Sequence, residues 1–413
     1  MNTTTRLPQD NANNDTSYWS TAWLMWLVAA IFYALDYFQH TAPSVLIQPI
    51  AQSLNANVTT IGNIMSIYFP IYAIAQLPAG YILDRYGLKF PLTVACLLVS
   101  IGLLAMQGST VYMIILGRGL IAFGSAFAFL GALKTASTWL PKSVFPIAVG
   151  LTNTIGVLGG LVGQPFLNNL IEKYHWQQAL FYIAIFGFML SAIIFIFLHS
   201  PRNTQAQKTS PMIKKAILAD KDVWLLALYA GIMVGTVVNA LSELYDVVFL
   251  QQSFHIGSEP AAYISMMVFI GIAVGGPLHG IISRFFTYKR TWMLISCATT
   301  IVLFSLIIFS PVMHLNIRYA YPLFFLTGFF VSSMLLSFSL IKCCYISSMH
   351  ALIFAVINMV ISLCAALFQL VLGVAIHYFT SQPNITHPYF YSLLTLLAPL
   401  MASFIICYSV RIE

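Results

Sequence analysis

The chain has 413 residues, of which 60% are hydrophobic and only 7% are charged, whereas soluble domains carry roughly 25% charged residues. A soluble protein of this composition could not cover its surface with polar side chains, so a water-soluble globular protein is excluded. The formal net charge of +7 is compatible with a nucleic-acid partner, but the distribution of the basic residues along the chain argues against one.

A helix that spans a bilayer needs about 20 mostly apolar residues. Segments of this kind predict an all-α membrane protein with twelve transmembrane helices. They lie near residues 20–46, 58–83, 90–107, 111–134, 146–168, 177–199, 223–250, 259–283, 291–311, 319–341, 349–377 and 387–409. The chain then divides into an N-terminal tail at 1–19, a six-helix half at 20–199, a polar linker at 200–222 and a second six-helix half at 223–413.

Lysine and arginine are distributed unevenly between the two sides of this topology. Of the 18 such residues, fifteen fall in segments on one side, Lys173 and Arg318 fall on the other, and Arg118 lies within a span. Because cytoplasmic segments of membrane proteins are enriched in basic residues, both termini are predicted to lie in the cytoplasm and the protein in the inner (plasma) membrane. The net charge then follows from orientation in the lipid bilayer, and no nucleic-acid partner is expected.

A short charged hairpin joins the second and third predicted spans and reads Gly-Tyr-Ile-Leu-Asp-Arg-Tyr-Gly-Leu-Lys, residues 80–89. One glycine permits close helix approach and the other the turn itself. The hairpin resembles the Gly-x-x-x-Asp-Arg-x-Gly-Arg-Lys signature of major facilitator superfamily transporters, with Leu88 in place of the usual Arg. The resemblance implies a conformational role for Gly80, Asp84, Arg85, Gly87 and Lys89.

A second motif supports this resemblance, and the fifth span bears on the substrate class. The segment 118–124 resembles the Arg-plus-glycine pattern of the fourth helix in the same family, which implies two pseudo-symmetric halves rocking about a central site. The fifth span lacks the Gly-Pro motif typical of drug/proton antiporters, and this absence disfavours drug efflux.

The two halves match weakly at a spacing of 200 residues. Gly280 and Lys289 correspond to residues 80 and 89, but Arg284 stands opposite Asp84. The acid is therefore present only in the first-half hairpin. We expect Asp84 to pair with a cation and to cap the start of the eleventh helix near His350.

Ionisable residues inside a span cost at least about 2.5–3.5 kcal/mol on insertion scales and therefore mark candidate functional sites. Asp36 and His40 share a face of the first helix, and Glu243 and Asp246 are three residues apart in the seventh. The resemblance implies that helices 1, 4 and 7 line a central cavity, which would bring these groups near Arg118. We expect Asp36 or Glu243 to accept a coupling proton, and Arg118 to stabilise a carboxylate or to hold an anionic substrate.

Each of these residues also has a structural interpretation. Asp36 and Arg118 could form a structural ion pair, and His40 could be a hydrogen-bonded helix residue without a relay function. Asp246 could be a solvated residue close to the outer surface.

Uncharged polar residues inside the spans are candidates for substrate binding. In membrane bundles such residues more commonly form hydrogen bonds between helices, so both interpretations stay open. The candidates are Asn239, Asn358, Gln369, Tyr68, Tyr72, Asn153 and Gln164.

Several chemistries lack a sequence signal. There is no phosphate-cradling Gly-x-x-x-x-Gly-Lys-Ser/Thr loop, which argues against ATP-driven transport by this chain. No residue cluster has metal-site spacing and no nucleophile lies beside a recognisable base, so neither a metal, a cofactor nor an enzyme is predicted. We interpret the chain as a monomeric, proton-coupled symporter that takes up a small polar solute, with Arg118 favouring an anion. Export of a metabolite or siderophore, and a non-transporting sensor or assembly partner, stay open as alternatives.

Overall fold

The computed structural model describes residues 16–108, 110–199, 219–286, 288–382, 385 and 387–411. Within these residues, ten helices are long and apolar enough to cross a membrane. One of them, Phe145–Phe197, has 53 residues and is divided at His175, where φ is 64° and ψ is 160°. An unbroken helix of that length would measure about 80 Å, far more than a bilayer core of about 30 Å. With the shorter apolar helix Lys89–Ala105, the described chain has the twelve predicted spans, and the all-α fold is confirmed.

We number these spans α1 to α12. The first half comprises α1 (Thr16–Thr41), α2 (Thr60–Tyr86), α3 (Lys89–Ala105), α4 (Val111–Trp139), α5 (145–174) and α6 (176–197). The second half comprises α7 (Lys221–Phe254), α8 (Ser258–Phe285), α9 (Lys289–Phe309), α10 (Ile317–Cys344), α11 (Ser347–Thr380) and α12 (Pro388–Ser409). Most of the predicted tail and linker lies outside the described residues, so the domain boundaries stay predictions.

Two spans differ in extent from the sequence prediction. The chain after α1 turns at Ala42 and continues as a separate helix, Pro43–Ser53, because proline in a first helical turn loses no intrahelical hydrogen bond. In α5 the helix passes through polar residues beyond 168 and reaches the break at His175. Both extensions lie at the end of the bundle where α1 ends and α2 begins.

The two halves meet where α2 packs on α11 and where α5 packs on α8. Glycine permits the close approach at both places. A Cβ atom at Gly80 would lie 2.6 Å from the Cβ of Ala355, and one at Gly150 would lie 2.2 Å from the carbonyl carbon of Gly276. The Thr154 hydroxyl also donates to the Ala273 carbonyl oxygen at 2.6 Å. The half-to-half contact is therefore backbone against backbone at these crossings.

The middle of α7 is π-helical over Gly235–Tyr245. Single π-helical stretches widen the helical turn and are frequent at functional sites. This stretch contains Asn239 and Glu243, and Asp246 follows it directly. The irregular segment thus positions most of the polar side chains that α7 contributes to the interior.

Candidate functional site

Asp36 lies at the centre of a polar cluster between α1 and α2. Its side chain is 1% exposed. The Tyr68 hydroxyl donates to Oδ1 at 2.7 Å, and His40 Nε2 lies 3.6 Å from the same oxygen. Among the described residues, Oδ2 has no hydrogen-bond partner. The buried carboxylate is therefore half satisfied, and one of its oxygens remains available for a proton or a ligand.

Arg118 lies on the other side of Tyr68 and is also 1% exposed. Its Nε and Nη1 groups donate to the carbonyl oxygens of Met65 and Gln39, both at 3.1 Å. Its guanidinium carbon lies 4.5 Å from the centre of the Tyr68 ring, a cation–π contact. Nη2 has no partner in the described structure.

Tyr68 therefore separates Asp36 from Arg118. The phenol donates to the carboxylate through its hydroxyl and contacts the guanidinium through its ring. The two charged groups form no direct ion pair in the described structure, so the alternative of a structural Asp36–Arg118 pair is wrong. Any movement of the Tyr68 ring changes the surroundings of both charges at once.

The second half contributes a polar group on α7 and α11. Asn239 Nδ2 donates to Glu243 Oε2 at 2.8 Å, and Gln369 Nε2 donates to the Asn239 carbonyl oxygen at 3.1 Å. The Glu243 side chain is exposed although it lies inside the bundle within charge-interaction range of His40 and Tyr37. Glu243 therefore faces an open cavity between the halves, with α1 on the opposite wall.

Tyr72 and Asn358 connect the two polar groups at the α2–α11 contact. Asn358 Nδ2 donates to the Tyr72 hydroxyl at 3.3 Å. The Tyr72 ring stacks on Tyr68 with centroids 5.4 Å apart, and His40 meets the Tyr72 ring edge-on at 5.3 Å. The structure thus brings together Asp36, His40, Tyr68, Tyr72, Arg118, Asn239, Glu243, Asn358 and Gln369.

Three predicted residues lie apart from this network. Asp246 is 2% exposed, and its Oδ2 has no partner among the described residues, so the interpretation that it is solvated at the outer surface is wrong. Asn153 is buried in α5, whereas Gln164 is exposed near the far end of the same helix. In the described structure none of the three makes a polar contact with the cluster around Asp36, and their roles in binding stay predictions.

Sequence reasoning missed three buried polar residues near Tyr68. Gln39 precedes His40, Gln76 continues the helical face of Tyr68 and Tyr72, and Ser125 lies two turns after Arg118 on α4. The Gln39 and Gln76 amides and the Ser125 hydroxyl each have an atom without a partner in the described structure. The four-residue spacing of Tyr68, Tyr72 and Gln76 was the available signal.

A separate charged cluster closes one end of the bundle. We call the end that carries Lys134, Lys142, Arg284, Lys289 and Lys342 the basic face. Asp84 forms an ion pair with Lys134 there, at 2.7 Å. Its carboxylate also accepts hydrogen bonds from the backbone N–H groups of Ala351 and Leu352, at 3.2 and 2.8 Å.

Those contacts place Asp84 of the first half on the first turn of α11 in the second, as the sequence predicted. The hairpin turns at Gly87, where φ is 79°, a value that favours glycine. Arg85 is exposed and donates to the Tyr81 hydroxyl at 2.8 Å, while the Lys89 ammonium lies 4.6 Å from the Phe195 ring centre. The hairpin is therefore anchored within its own half, and Asp84 alone of these three charged residues reaches across.

The sequence matches the family model of the Major Facilitator Superfamily over residues 25–406. The chain belongs to this superfamily. The match includes nearly all of the twelve spans and confirms the resemblance found in the α2–α3 hairpin. The protein is therefore a multi-pass membrane protein, and membership of a transporter family confirms that it is not an enzyme.

Curated relatives match a part of the chain. The "Uncharacterized transporter YybO" of Bacillus subtilis (strain 168) is 26% identical over 239 residues, which are 52% of this chain and 53% of that protein. The "Hexuronate transporter" of Escherichia coli (strain K12) is 25% identical over 183 residues, 44% of this chain and 42% of that protein. The chain thus spans about half the length of the curated relatives it matches.

Solved structures match over nearly the whole chain. The transporter FucP in its outward conformation has a TM-score of 0.69 at 14% identity, covering 95% of this chain and 100% of that one. The proton:xylose symporter XylE has a TM-score of 0.73 at 12% identity, covering 95% and 96%. At these identities the likeness establishes the fold and leaves the substrate open.

Proposed function

We propose that this protein takes up a small organic anion together with protons by alternating access. The observation that carries the proposal is the arrangement of Asp36, Tyr68 and Arg118. Asp36 Oδ2 and Arg118 Nη2 both lack partners in the described structure. One end of the arrangement can accept a proton, the other can bind an anion, and a single aromatic ring lies between them.

Protonation of Asp36, on α1, weakens the hydrogen bond that its carboxylate accepts from the Tyr68 hydroxyl. A charged carboxylate accepts a stronger hydrogen bond than a neutral carboxyl group. The hydroxyl of Tyr68 is therefore released more easily once Asp36 is neutral, and its ring can leave the guanidinium of Arg118. The exposed guanidinium then binds the anion bidentately. Proton and anion favour each other's binding, which is the thermodynamic requirement for symport.

His40 connects this site to the cavity. Asp36 is buried, whereas the His40 side chain is 27% exposed and lies 3.6 Å from Asp36 Oδ1. A proton that arrives from the cavity therefore meets the imidazole before the carboxylate. Glu243 faces the same cavity and provides a second acid, held by the amide of Asn239.

The names of several relatives support an anionic substrate. Besides the hexuronate transporter, they include "Probable galactarate/D-glucarate transporter GarP" of Escherichia coli (strain K12) and "Probable sulfoacetate transporter SauU" of Cupriavidus necator. Hexuronate, galactarate, glucarate and sulfoacetate are all small organic acids. The buried guanidinium of Arg118 fits this chemistry better than it fits a neutral sugar.

The closed basic face indicates which state of the transport cycle the described conformation represents. Asp84 and Lys134 link the halves there, while α1 and α7 show no comparable packing on each other among the described residues. The positive-inside rule assigns the basic face to the cytoplasm. We therefore propose that the described conformation is outward-facing, with His40 and Glu243 open to the outside and both termini inside.

The test is transport by the purified full chain in liposomes with an imposed pH gradient. We expect glucuronate, glucarate or sulfoacetate to accumulate when the lumen is alkaline, and glucose, as a neutral control, not to accumulate. If an organic acid loaded into the vesicles instead moves outward against its own concentration gradient, the result would support an exporter. If no organic acid moves faster than through protein-free vesicles, the proposal of anion transport is wrong.

A further inference from the structure

The basic face contains two sets of contacts between the halves that are related by the internal pseudo-symmetry. Lys134 near the end of α4 donates to the carbonyl oxygen of Ser347, the first residue of α11. Lys342 at the end of α10 donates to the carbonyl oxygen of Leu140, before α5. Each lysine thus reaches from its own half to the beginning of a helix of the other half, at the start of α11 or just before α5.

The hairpin residues complete the same correspondence. Asp84 accepts from the N–H of Ala351, and Arg284, which stands 200 residues later, donates to the carbonyl oxygen of Ser143 at 2.6 Å. Lys342 follows Lys134 by 208 residues, and Ala351 follows Ser143 by the same number. The two carbonyl acceptors, Leu140 and Ser347, are 207 residues apart, so the two sets correspond to within one residue. They differ in that one hairpin carries an acid and the other a base.

This exchange leaves the second set without a negative charge. Lys134 is neutralised by Asp84. Lys342 is 5% exposed, lies 4.6 Å from the Phe145 ring centre and makes no ion pair among the described residues. At the position that corresponds to Asp84 the second hairpin carries Arg284, which contacts Ser143, the residue after Lys142. Burying an unpaired ammonium group is costly. Among the described residues, this end of the interface has no carboxylate that corresponds to Asp84 in the other set.

Further cations surround the same place. Lys142 donates to the Cys343 carbonyl oxygen at 3.0 Å, and Lys289 donates to the Cys343 sulfur at 3.4 Å. Both therefore lie next to Lys342 in space. Two carboxylates of this face have other contacts in the described structure: Asp220 accepts from the Tyr345 hydroxyl, and Asp222 accepts from the N–H of Arg411.

We propose that Lys142, Arg284, Lys289 and Lys342 bind a phosphoryl oxyanion that replaces the missing carboxylate and holds the basic face closed. The lysines and the arginine retain N–H groups beyond those used for the contacts above. Their contacts come from both halves, since Lys142 belongs to the first and the other three to the second. A tetrahedral oxyanion with several acceptor oxygens can bridge such a group, as the Asp84 carboxylate bridges Lys134 and the start of α11.

The ligand is either free phosphate or the headgroup of an anionic phospholipid. Both present the same phosphoryl oxygens, and the basic face lies where the spans leave the bilayer. The site is independent of the transported solute because it is separate from the central cavity. Binding stabilises the closed basic face by mass action, in proportion to occupancy.

The experiment measures thermal unfolding of the detergent-purified full chain in increasing inorganic phosphate, against sodium chloride of equal ionic strength. A second arm uses nanodiscs of phosphatidylcholine alone or with phosphatidic acid. If the free ion is sufficient, inorganic phosphate should raise Tm in a saturable manner. If the site requires a lipid, only the nanodiscs that contain phosphatidic acid should show a higher Tm. If neither raises Tm beyond the chloride or phosphatidylcholine control, the proposal is wrong.

Variants localise the effect. Lys142→Gln and Lys289→Gln should each raise the half-saturating phosphate concentration by about tenfold, because each variant loses one charge-assisted contact. Lys173→Gln removes the same charge at the opposite end of the bundle and should respond as wild type. Arg284→Asp supplies the carboxylate at the symmetry-related position. It should abolish the rise of Tm with phosphate and leave the Tm without phosphate unchanged. If the rise of Tm is the same in all four variants and in wild type, the proposed site is wrong.

Discussion

The hydroxyl group of Tyr68 donates a 2.7 Å hydrogen bond to the carboxylate of Asp36. This bond joins α2 to α1 in a place that water does not reach, since both side chains are buried. A buried acceptor that loses its donor keeps the full cost of desolvation. The bond therefore contributes to stability and, in our proposal, also controls access to Arg118.

Tyr68→Phe tests both contributions. The variant keeps the ring against Arg118 but leaves Asp36 with one partner fewer, so we expect a loss of about 1–3 kcal/mol in unfolding free energy. Transport of the anion should depend less on pH, because the link between the carboxylate and the ring is gone. Thermal unfolding and pH-dependent uptake measure the two effects. Tyr112→Phe, at an exposed position, is the control and should change neither.

Asp84→Asn should open the basic face. The variant retains the shape of Asp84 but loses the charge that binds Lys134 and the N-terminal turn of α11. We expect the population to shift away from the closed basic face. Distances between spin labels on Tyr86→Cys and Ile346→Cys, in a background without the native cysteines, report this opening.

The matched control for that measurement is Arg85→Gln. Arg85 belongs to the same hairpin but is exposed and contacts Tyr81 within its own half. An identical distance distribution for Asp84→Asn, Arg85→Gln and wild type would show that Asp84 does not hold the gate.

Gly150→Ala should be strongly damaging for a steric reason. The added Cβ would lie 2.2 Å from the carbonyl carbon of Gly276, so α5 and α8 would have to separate. We expect a loss of about 1–3 kcal/mol together with slower transport. In contrast, a Cβ at Gly62 meets nothing within 4 Å. Gly62→Ala should therefore be neutral or stabilising by about 0.5–1 kcal/mol, and an equal Tm loss in both variants would refute the steric argument.

The fold was predictable from the sequence because each span carries its own signal in apolar length, and the basic residues order the two sides. Contacts within one helix or one motif were predictable too. The four-residue spacing of Asp36 and His40 places them on one face, and they meet at 3.6 Å. The contact of Asp84 with the start of α11 was predicted from the acid that only the first-half hairpin carries and from the preference of a helix N-terminus for negative charge.

Contacts that depend on how helices rotate against each other were not predictable. Tyr68 was a candidate either for substrate binding or for a hydrogen bond between helices, but its position between Asp36 and Arg118 depends on the packing of α1, α2 and α4. Gln164 and Asp246 show the same limit in opposite directions. The polar Gln164 is exposed, while the charged Asp246 is buried, because the packing of each helix against its neighbours decides which of its sides faces inward.

The central claim is that Asp36 carries the proton that drives anion uptake. The most direct measurement compares pH-gradient-driven accumulation with solute counterflow at equal pH for wild type and Asp36→Asn, using an organic acid that the wild type transports. Because asparagine mimics a permanently neutral carboxyl group, the variant should retain counterflow but lose accumulation driven by the gradient. Accumulation by Asp36→Asn with the pH dependence of the wild type would contradict the account.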